Sequence, residues 1–386
     1  MLKGLLLILF WGSVFIIFYS YFGFPLLLAL RGLFFPKKIK TSSSFLPAVT
    51  VIIAAYNEAD GIAQKLESVL STNYPYNKLE IIVASDGSTD GTNEIVSKFE
   101  GSGVKLLALP RQGKNQVLNN AVPTASGEIL IFTDADSILP QDSIQNLVLP
   151  FADPEIGGVS GDYRHASKNV KQEGERAYWN YDRLLKQLQS SGGSVSGASG
   201  ALYAIRRSLF KTLPASVTDD FFTAMQVVSS HYRLIFEPKA VAYGPVASSA
   251  KEEYKRKVRI ITRGLHGVWL MRHLLNPLSY GFFAIQLFSH KLLRRLIAIP
   301  LILCAITAPL LWQFSTIYVV AAIFQIVFHS IALTGFFLRG TRIGQSKLLS
   351  IPFHFDMIYY ASLVAILNNL KGKQFATWGS ERIANQ

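Results

Sequence analysis

A single cysteine, Cys304, stands among 386 residues. That excludes a disulfide framework and a cysteine-based zinc site, and it fits a chain that never meets an oxidising compartment. Charge is scarce as well. Only 16% of residues are charged, against about 25% in an average soluble domain. Half are hydrophobic, and the mean hydropathy is +0.28. A disordered chain is excluded, and an ordinary soluble enzyme fits poorly. There is no GxxxxGK(S/T) loop, and no GxGxxG joins the first strand candidate to a helix. The phosphate loop and the dinucleotide fingerprint are therefore both missing. Internal repeats and low-complexity tracts are missing too.

Basic residues outnumber acidic ones, 38 to 25, and they are unevenly spread. Residues 251–295 hold ten Lys/Arg against only Glu252 and Glu253, which is eight of the thirteen net positive charges. Such a block suits nucleic acid, an anionic membrane surface or a phosphate-bearing substrate. Its neighbours decide. It abuts apolar segments, so nucleic acid is not expected as a partner and the lipid bilayer is.

Residues 4–30 are uncharged and overwhelmingly apolar. A span needs about 20 such residues, and the basic residues Arg31, Lys37, Lys38 and Lys40 follow. A signal peptide would have a shorter apolar region and a small-residue cleavage site, so an uncleaved anchor is the expectation. Residues 296–314 and 316–338 form two further candidate spans, and 348–370, with His354 and Asp356, a weaker third. The positive-inside rule puts the intervening region in the cytoplasm, because basic residues flank it at both ends. The third segment then sends the tail outside, although Lys371, Lys373 and Arg382 favour the inside; it is either a true span or a re-entrant or interfacial segment. Residues 278–289 are too short to span and rich in aromatics, as expected of a helix lying in the membrane interface, with a buried helix of the soluble domain as the alternative. The chain thus divides into an N-terminal transmembrane anchor at 1–40, a cytoplasmic catalytic domain at 41–263, an amphipathic interface segment at 264–295 and a C-terminal transmembrane region of two or three spans at 296–386. A multi-pass protein of the cell (inner or plasma) membrane is expected.

Residues 48–245 have a different character. Short apolar runs at 49–54, 79–84, 104–109 and 128–133 alternate with helical patterns such as Ile62, Leu66, Val69 and Leu70. That predicts an α/β fold with a mainly parallel sheet. In such sheets ligands bind beyond the carboxyl ends of the strands. There the chain carries Tyr56-Asn57-Glu58, then Asp86 to Gly91, then Asp134-Ala135-Asp136. Asp and Ser after a strand are ordinary turn and cap residues, but three such groups in register point to a site. Asp-x-Asp offers carboxylate oxygens suited to Mg²⁺ or Mn²⁺, with substrate phosphates completing the shell. Lys114 opens a predicted helix at 115–121, where it either meets a phosphate or is simply solvated.

These motifs, in this order, resemble family 2 glycosyltransferases, most of all the membrane-embedded branch with cellulose, hyaluronan and poly-N-acetylglucosamine synthases. Ser199-Gly200-Ala201 resembles the family's acceptor-side loop. Thr218-Asp219-Asp220 resembles its Thr-Glu-Asp motif, with Asp at the middle position. The resemblance covers roughly 47–263 and implies the GT-A fold, a mixed, mainly parallel sheet flanked here by transmembrane helices. It implies an inverting transferase of hexosyl type that uses a UDP-sugar and acts on a lipid-linked or glycan acceptor, and it leaves room for export or assembly partner proteins. Tyr56, Glu58 and Asp86 would hold the nucleoside, with Lys114 and Asp134 also on the donor. Asp136, helped by Asp134, would hold Mg²⁺ or Mn²⁺. Asp220 would be the catalytic base. Ser199, Gly200, Asp219, Arg256 and Arg259 would lie on the acceptor or diphosphate. Processive members carry Gln-x-x-Arg-Trp. Here Arg256 replaces the Gln and Ile260 the Trp, so short products are expected unless Trp269 supplies the ring. A processive polysaccharide synthase and a catalytically silent membrane scaffold are the competing readings.

Overall fold

Val49 to Ala55 is a run of small and β-branched residues, apolar except for Thr50, with no solvent-facing position, as a strand covered on both faces requires. In the computed structural model, which describes residues 1–42, 44–165, 173–245 and 250–373, it is β1, an interior strand of a seven-stranded sheet. Ser43 of the linker, Arg382 and the rest of the tail lie outside the described residues. The other strands are β2 (Leu79–Asp86), β3 (Val104–Leu109), β4 (Ile129–Asp134), β5 (Ile156–His165), β6 (Tyr203–Arg206) and β7 (Arg233–Gly244), and the order is β3-β2-β1-β4-β6-β5-β7. β1 pairs in parallel with β2 and β4, and β2 with β3, whereas β6 runs antiparallel to β4 and β5. The fold is the mixed, mainly parallel α/β sheet expected. The register sets Ala55 beside Ser85 and Ala54 beside Asp134. The chain segments leaving β1, β2 and β4 therefore emerge side by side at one edge.

Alternate residues of these strands feed two cores. Ile52, Ile82, Leu130 and Phe132 pack under the helices Lys114–Ala121 and Asp219–Ser229. Val51, Ile53, Val83 and Ile131 pack under Ile62–Leu70 and Ser143–Val148. Each fully buried aliphatic side chain is worth about 1.5–3 kcal/mol, so the edge carrying the polar loops rests on a rigid base.

Among the described residues, three helices are long and apolar enough to cross a membrane: Leu2–Phe34, Thr316–Leu338 and Lys347–Leu370. A fourth arises if Phe282–Leu296 and Ala298–Phe314, which meet at 51°, form one broken span. The aromatic segment at 278–289 is not one helix. Pro277–Tyr280 makes a single turn, Gly281 turns the chain at φ 54°, and a new helix starts at Phe282 and runs through the basic residues to Leu296. Ala250–Leu270 is likewise one continuous helix across 263/264. Two polar residues of Lys347–Leu370 meet polar partners on neighbouring helices. His354 Nε2 lies 3.2 Å from Glu253 of the Ala250–Leu270 helix, and Asp356 meets His329 Nδ1 at 2.9 Å.

Candidate active site

The loops after β1 and β2 are stitched to one another. Asn57, at φ 52°, donates its N–H to Ser88 Oγ (3.1 Å) and accepts from Thr89 N–H (2.9 Å). Glu58 N–H donates to Thr92 Oγ1 at 2.8 Å, and Ala59 N–H to Asp90 at 3.0 Å. The turn chemistry expected of such residues thus accounts for Asn57, Ser88, Asp90 and Thr92. Asp86 is fully buried. Its carboxylate accepts from Gln112 N–H (2.7 Å) and Gly113 N–H (3.0 Å), and it pairs with the Arg111 guanidinium. Arg111 in turn lies over the Tyr56 ring, 3.4 Å from its centroid, in cation–π contact. Arg111 escaped notice in the sequence because nothing in its neighbourhood marks it. Gly113, at φ 95°, makes the turn that starts the Lys114–Ala121 helix.

That turn aims Lys114 at the carboxylates. Its Nζ sits 2.8 Å from Asp134 Oδ1 and 3.1 Å from Asp219 Oδ2. Burial opposes the charge on Lys114, but Asp134 and Asp219 outweigh it and hold the pKa above the usual lysine range. Asp219 and Asp220 occupy the first turn of Asp219–Ser229, with Thr218 as the N-cap, where a helix favours negative charge. Asp220 Oδ1 accepts from Phe221 N–H at 2.7 Å. Burial, and then the Asp219 charge, push its carboxyl above the ordinary range. Gly200 lies between the two groups: a methyl there would sit 3.6 Å from Asp134 Oδ2 and 3.8 Å from Asp220 Oδ2. The end of β4, the 199–201 loop and the Asp219–Ser229 helix therefore converge on one small space.

A second lysine braces this edge from below. Lys65 is fully buried, and its Nζ donates to Thr133 Oγ1 (2.7 Å) and Ser137 Oγ (3.2 Å), the residues on either side of Asp134-Ala135-Asp136. Burial lowers its pKa to about 7, against the opposing pull of Asp134 and Asp136. The helical periodicity around Ile62, Leu66 and Val69 hides this role.

These groups open into a cavity of about 730 Å³. Glu58, Lys114, Asp134, Asp136, Ser199 and Gly200 line it, as do Asp219, Asp220, Arg256 and Arg259. Tyr56, Asp86 and Arg111 form a cluster of their own, and none of the three is among the cavity walls. Ile260 is in the wall, whereas Trp269 is exposed on the outside of its helix under Arg272. The cavity's indole is Trp179, packed 5.2 Å from Tyr163. Arg263 reaches back to the carbonyls of Ala215 (3.1 Å) and Val217 and so fixes the approach to Asp219.

Among the described residues, no group of three or more His, Cys, Asp or Glu side chains could by itself hold a metal ion. The two carboxylates of Asp134 and Asp136 are all-oxygen donors, and one or two carboxylates plus substrate phosphates is how Mg²⁺ is usually bound. The residues therefore fit such an ion.

Residues 50–213 match the model of the family described as glycosyl transferase family 2. The chain is similar to that family over this stretch. It is 27% identical over 230 residues to a poly-beta-1,6-N-acetyl-D-glucosamine synthase of Staphylococcus epidermidis, covering 57% of this chain and 55% of the relative. Against the synthase of Staphylococcus aureus strain MSSA476 it is 28% identical over 232 residues, covering 58% and 56%. The chain thus spans little more than half the length of these relatives. A mannosyltransferase from Pyrobaculum calidifontis, solved with GDP-Man and Mn²⁺, is similar over 95% of this chain and 100% of its own, with a TM-score of 0.74 and 25% identity.

Proposed function

We propose that the protein is a membrane-anchored, inverting glycosyltransferase. It moves a sugar from a UDP-sugar to a lipid-linked or glycan acceptor at the cytoplasmic face of the cell membrane, in the synthesis of a cell-surface polysaccharide or glycolipid. The observation that carries this is the convergence of Asp134 and Asp220 on the space beside Gly200. A group that handles the donor diphosphate and a group able to take a proton face the same point. Tyr56 and Arg111 form the nucleoside side, with Asp86 anchoring Arg111. Lys114, Arg256 and Arg259 supply positive charge to the diphosphate. Asp136 and Asp134 would hold Mg²⁺ or Mn²⁺, which supplies neutralisation of charge on the leaving diphosphate. Asp220 takes the proton of the acceptor hydroxyl as its oxygen attacks the anomeric carbon. Attack opposite the leaving group inverts that carbon.

A second donor reading rests on the similarity, along nearly the whole chain, to a mannosyltransferase solved with GDP-Man: the nucleotide is then GDP. One experiment separates the two. Detergent-purified protein with endogenous lipid is offered UDP-sugars and GDP-Man with Mg²⁺ or Mn²⁺, and nucleoside diphosphate release is followed with products read by mass spectrometry. Release with a UDP-sugar supports the first reading and release with GDP-Man the second. No release with any donor refutes both and favours a silent scaffold.

A further inference from the structure

The cavity that holds Asp220 also has an apolar wall. Its far wall is made by Tyr21 of the N-terminal apolar helix and by Ile351, Phe355, Ile358 and Tyr359 of Lys347–Leu370. These belong to two of the helices apolar enough to cross a membrane. Between the carboxylate end and this apolar end, the Phe282–Leu296 helix contributes Lys291, Arg294 and Arg295.

That helix is firmly docked. Gln189 Nε2 and Ser196 Oγ each lie 2.8 Å from His290 Nδ1, and Gln286 Nε2 donates to Ser194 O at 2.6 Å. The docking brings Lys291 Nζ against Gly197, where an added Cβ would be only 2.9 Å away. The same ammonium lies 5.8 Å from the centroid of Phe221, the residue next to Asp220. Among the described residues, no hydrogen bond or ion pair engages it. Burial would raise the nearby Asp182 carboxyl, but the cations Lys186, Lys291 and Arg294 hold it well below the usual range. The field in this stretch is therefore positive, at the junction of protein and bilayer.

We propose that Lys291, with Arg294 and Arg295, binds the phosphate of a lipid-phosphate-linked acceptor, whose hydrocarbon chain leaves the cavity along Tyr21, Phe355 and Ile358. This rests on the glycosyltransferase reading and names its acceptor class. The phosphate anchors the lipid with a hydroxyl of its head beside Asp220. That oxygen forms the new bond to the anomeric carbon, the bond from that carbon to the diphosphate oxygen breaks, the proton passes to Asp220, and the electron pair leaves with the nucleoside diphosphate. The anion site could otherwise serve a free phosphate or the donor's own diphosphate, and the test distinguishes these.

Full-length protein in non-ionic detergent is titrated with farnesyl phosphate, farnesol and inorganic phosphate, and separately with UDP and GDP in the presence of Mn²⁺. Farnesyl phosphate is expected to bind, with farnesol and inorganic phosphate each at least about tenfold weaker, as a charge-assisted hydrogen bond implies. Lys291→Gln should lose about tenfold or more in farnesyl phosphate affinity, Lys291→Arg should keep it, and nucleotide affinity should stay within about twofold in both. Inorganic phosphate binding as tightly as farnesyl phosphate overturns the proposal in favour of a free-anion site. Parallel loss of UDP or GDP affinity in Lys291→Gln assigns the residue to the donor and overturns it too. If Lys291→Gln fails to fold, the comparison of the three probes on the wild type still decides. Absence of any metal-dependent nucleotide binding by the wild type counts against the glycosyltransferase reading instead, since the lipid titration does not depend on it.

Discussion

Asp220→Asn isolates the chemistry of the site from its binding. The Asp220 Oδ1 that accepts the Phe221 N–H at 2.7 Å has a counterpart in the Asn carbonyl oxygen, so the first turn of the Asp219–Ser229 helix keeps its bond. The wild-type carboxyl is raised by burial and by Asp219, so removing its charge also relieves a repulsion, and stability should not fall. What is lost is the proton acceptor. General base catalysis contributes roughly 10²–10⁴-fold, so kcat should drop by that factor, equal to about 2.7–5.5 kcal/mol in the barrier. The pH profile adds a second measure. The base works deprotonated, so wild-type turnover falls as pH drops through the raised pKa, at a pH above the ordinary aspartate value of about 3.9. That acid limb should vanish from the variant's residual rate. The assay is nucleoside diphosphate release across pH, with nucleotide affinity measured separately by calorimetry. A fall in nucleotide affinity as large as the fall in turnover, or an unchanged acid limb, would show that Asp220 binds the donor and that the base lies elsewhere.

Asp86→Asn should cost about 1.5–3 kcal/mol, because a buried charged acceptor of the Arg111, Gln112 and Gly113 donors becomes a neutral one, and the melting temperature should fall by several degrees. An unchanged melting temperature with nucleotide affinity lost would mean that the carboxylate touches the nucleoside directly. Lys65 has its pKa lowered from 10.5 to about 7, so between those values the unfolded chain binds the extra proton and stability rises with pH. The burden is greatest at and below pH 7. Lys65→Met should therefore gain stability at pH 7, gain less at pH 9, and bind the donor more weakly because Thr133 and Ser137 lose their brace. A variant that melts lower at pH 7 with donor affinity intact would refute both halves. Products should be short, one or a few sugars on a carrier, because Ile260 offers the cavity area but no ring. A high-molecular-weight radiolabelled product would instead point to Trp179 as the stacking surface.

The inner strands β1 and β4 were legible in the sequence because they are buried on both faces and show as largely apolar runs. The edge strand β3 has only Val104 buried and carries Lys105, yet the run at 104–109 coincides with it at both ends. Asp86, Asp134 and Asp136 were legible because they close or follow such runs, whereas Asp219 and Asp220 open a helix and were legible only through the resemblance of their motif. Partners that close across sequence distance were not. Arg111 reaches back 25 positions to Asp86, and Lys65 reaches forward 68 to Thr133. Periodicity places Lys65 on a helix without saying that its ammonium is buried. Trp269 looked available on spacing alone, but its helix turns it outward.

The same logic explains the weakest apolar segment and ties the anchor to the chemistry. Lys347–Leu370 has a mean hydropathy of 1.3 in its best window, against 2.0 for Thr316–Leu338, and half of that window is buried inside the protein. A span facing lipid all round needs apolar residues all round. One packed on protein can carry His354 against Glu253 and Asp356 against His329, because polar groups paired at a protein interface escape most of the cost of burial. The helix therefore reads as a poor span because it is a good wall. It packs on Ala250–Leu270 through Ala361 and Ala365 against Val258 and Ile261, and that second helix carries Arg256, Arg259 and Arg263 into the cavity. Cutting the chain at 263 would remove Lys291, Phe355 and Tyr359 from the site and bare the apolar faces of Val258 and Ile261. The sheet domain and the helices beside it line one cavity, and the end proposed for the acceptor exists only when both are present.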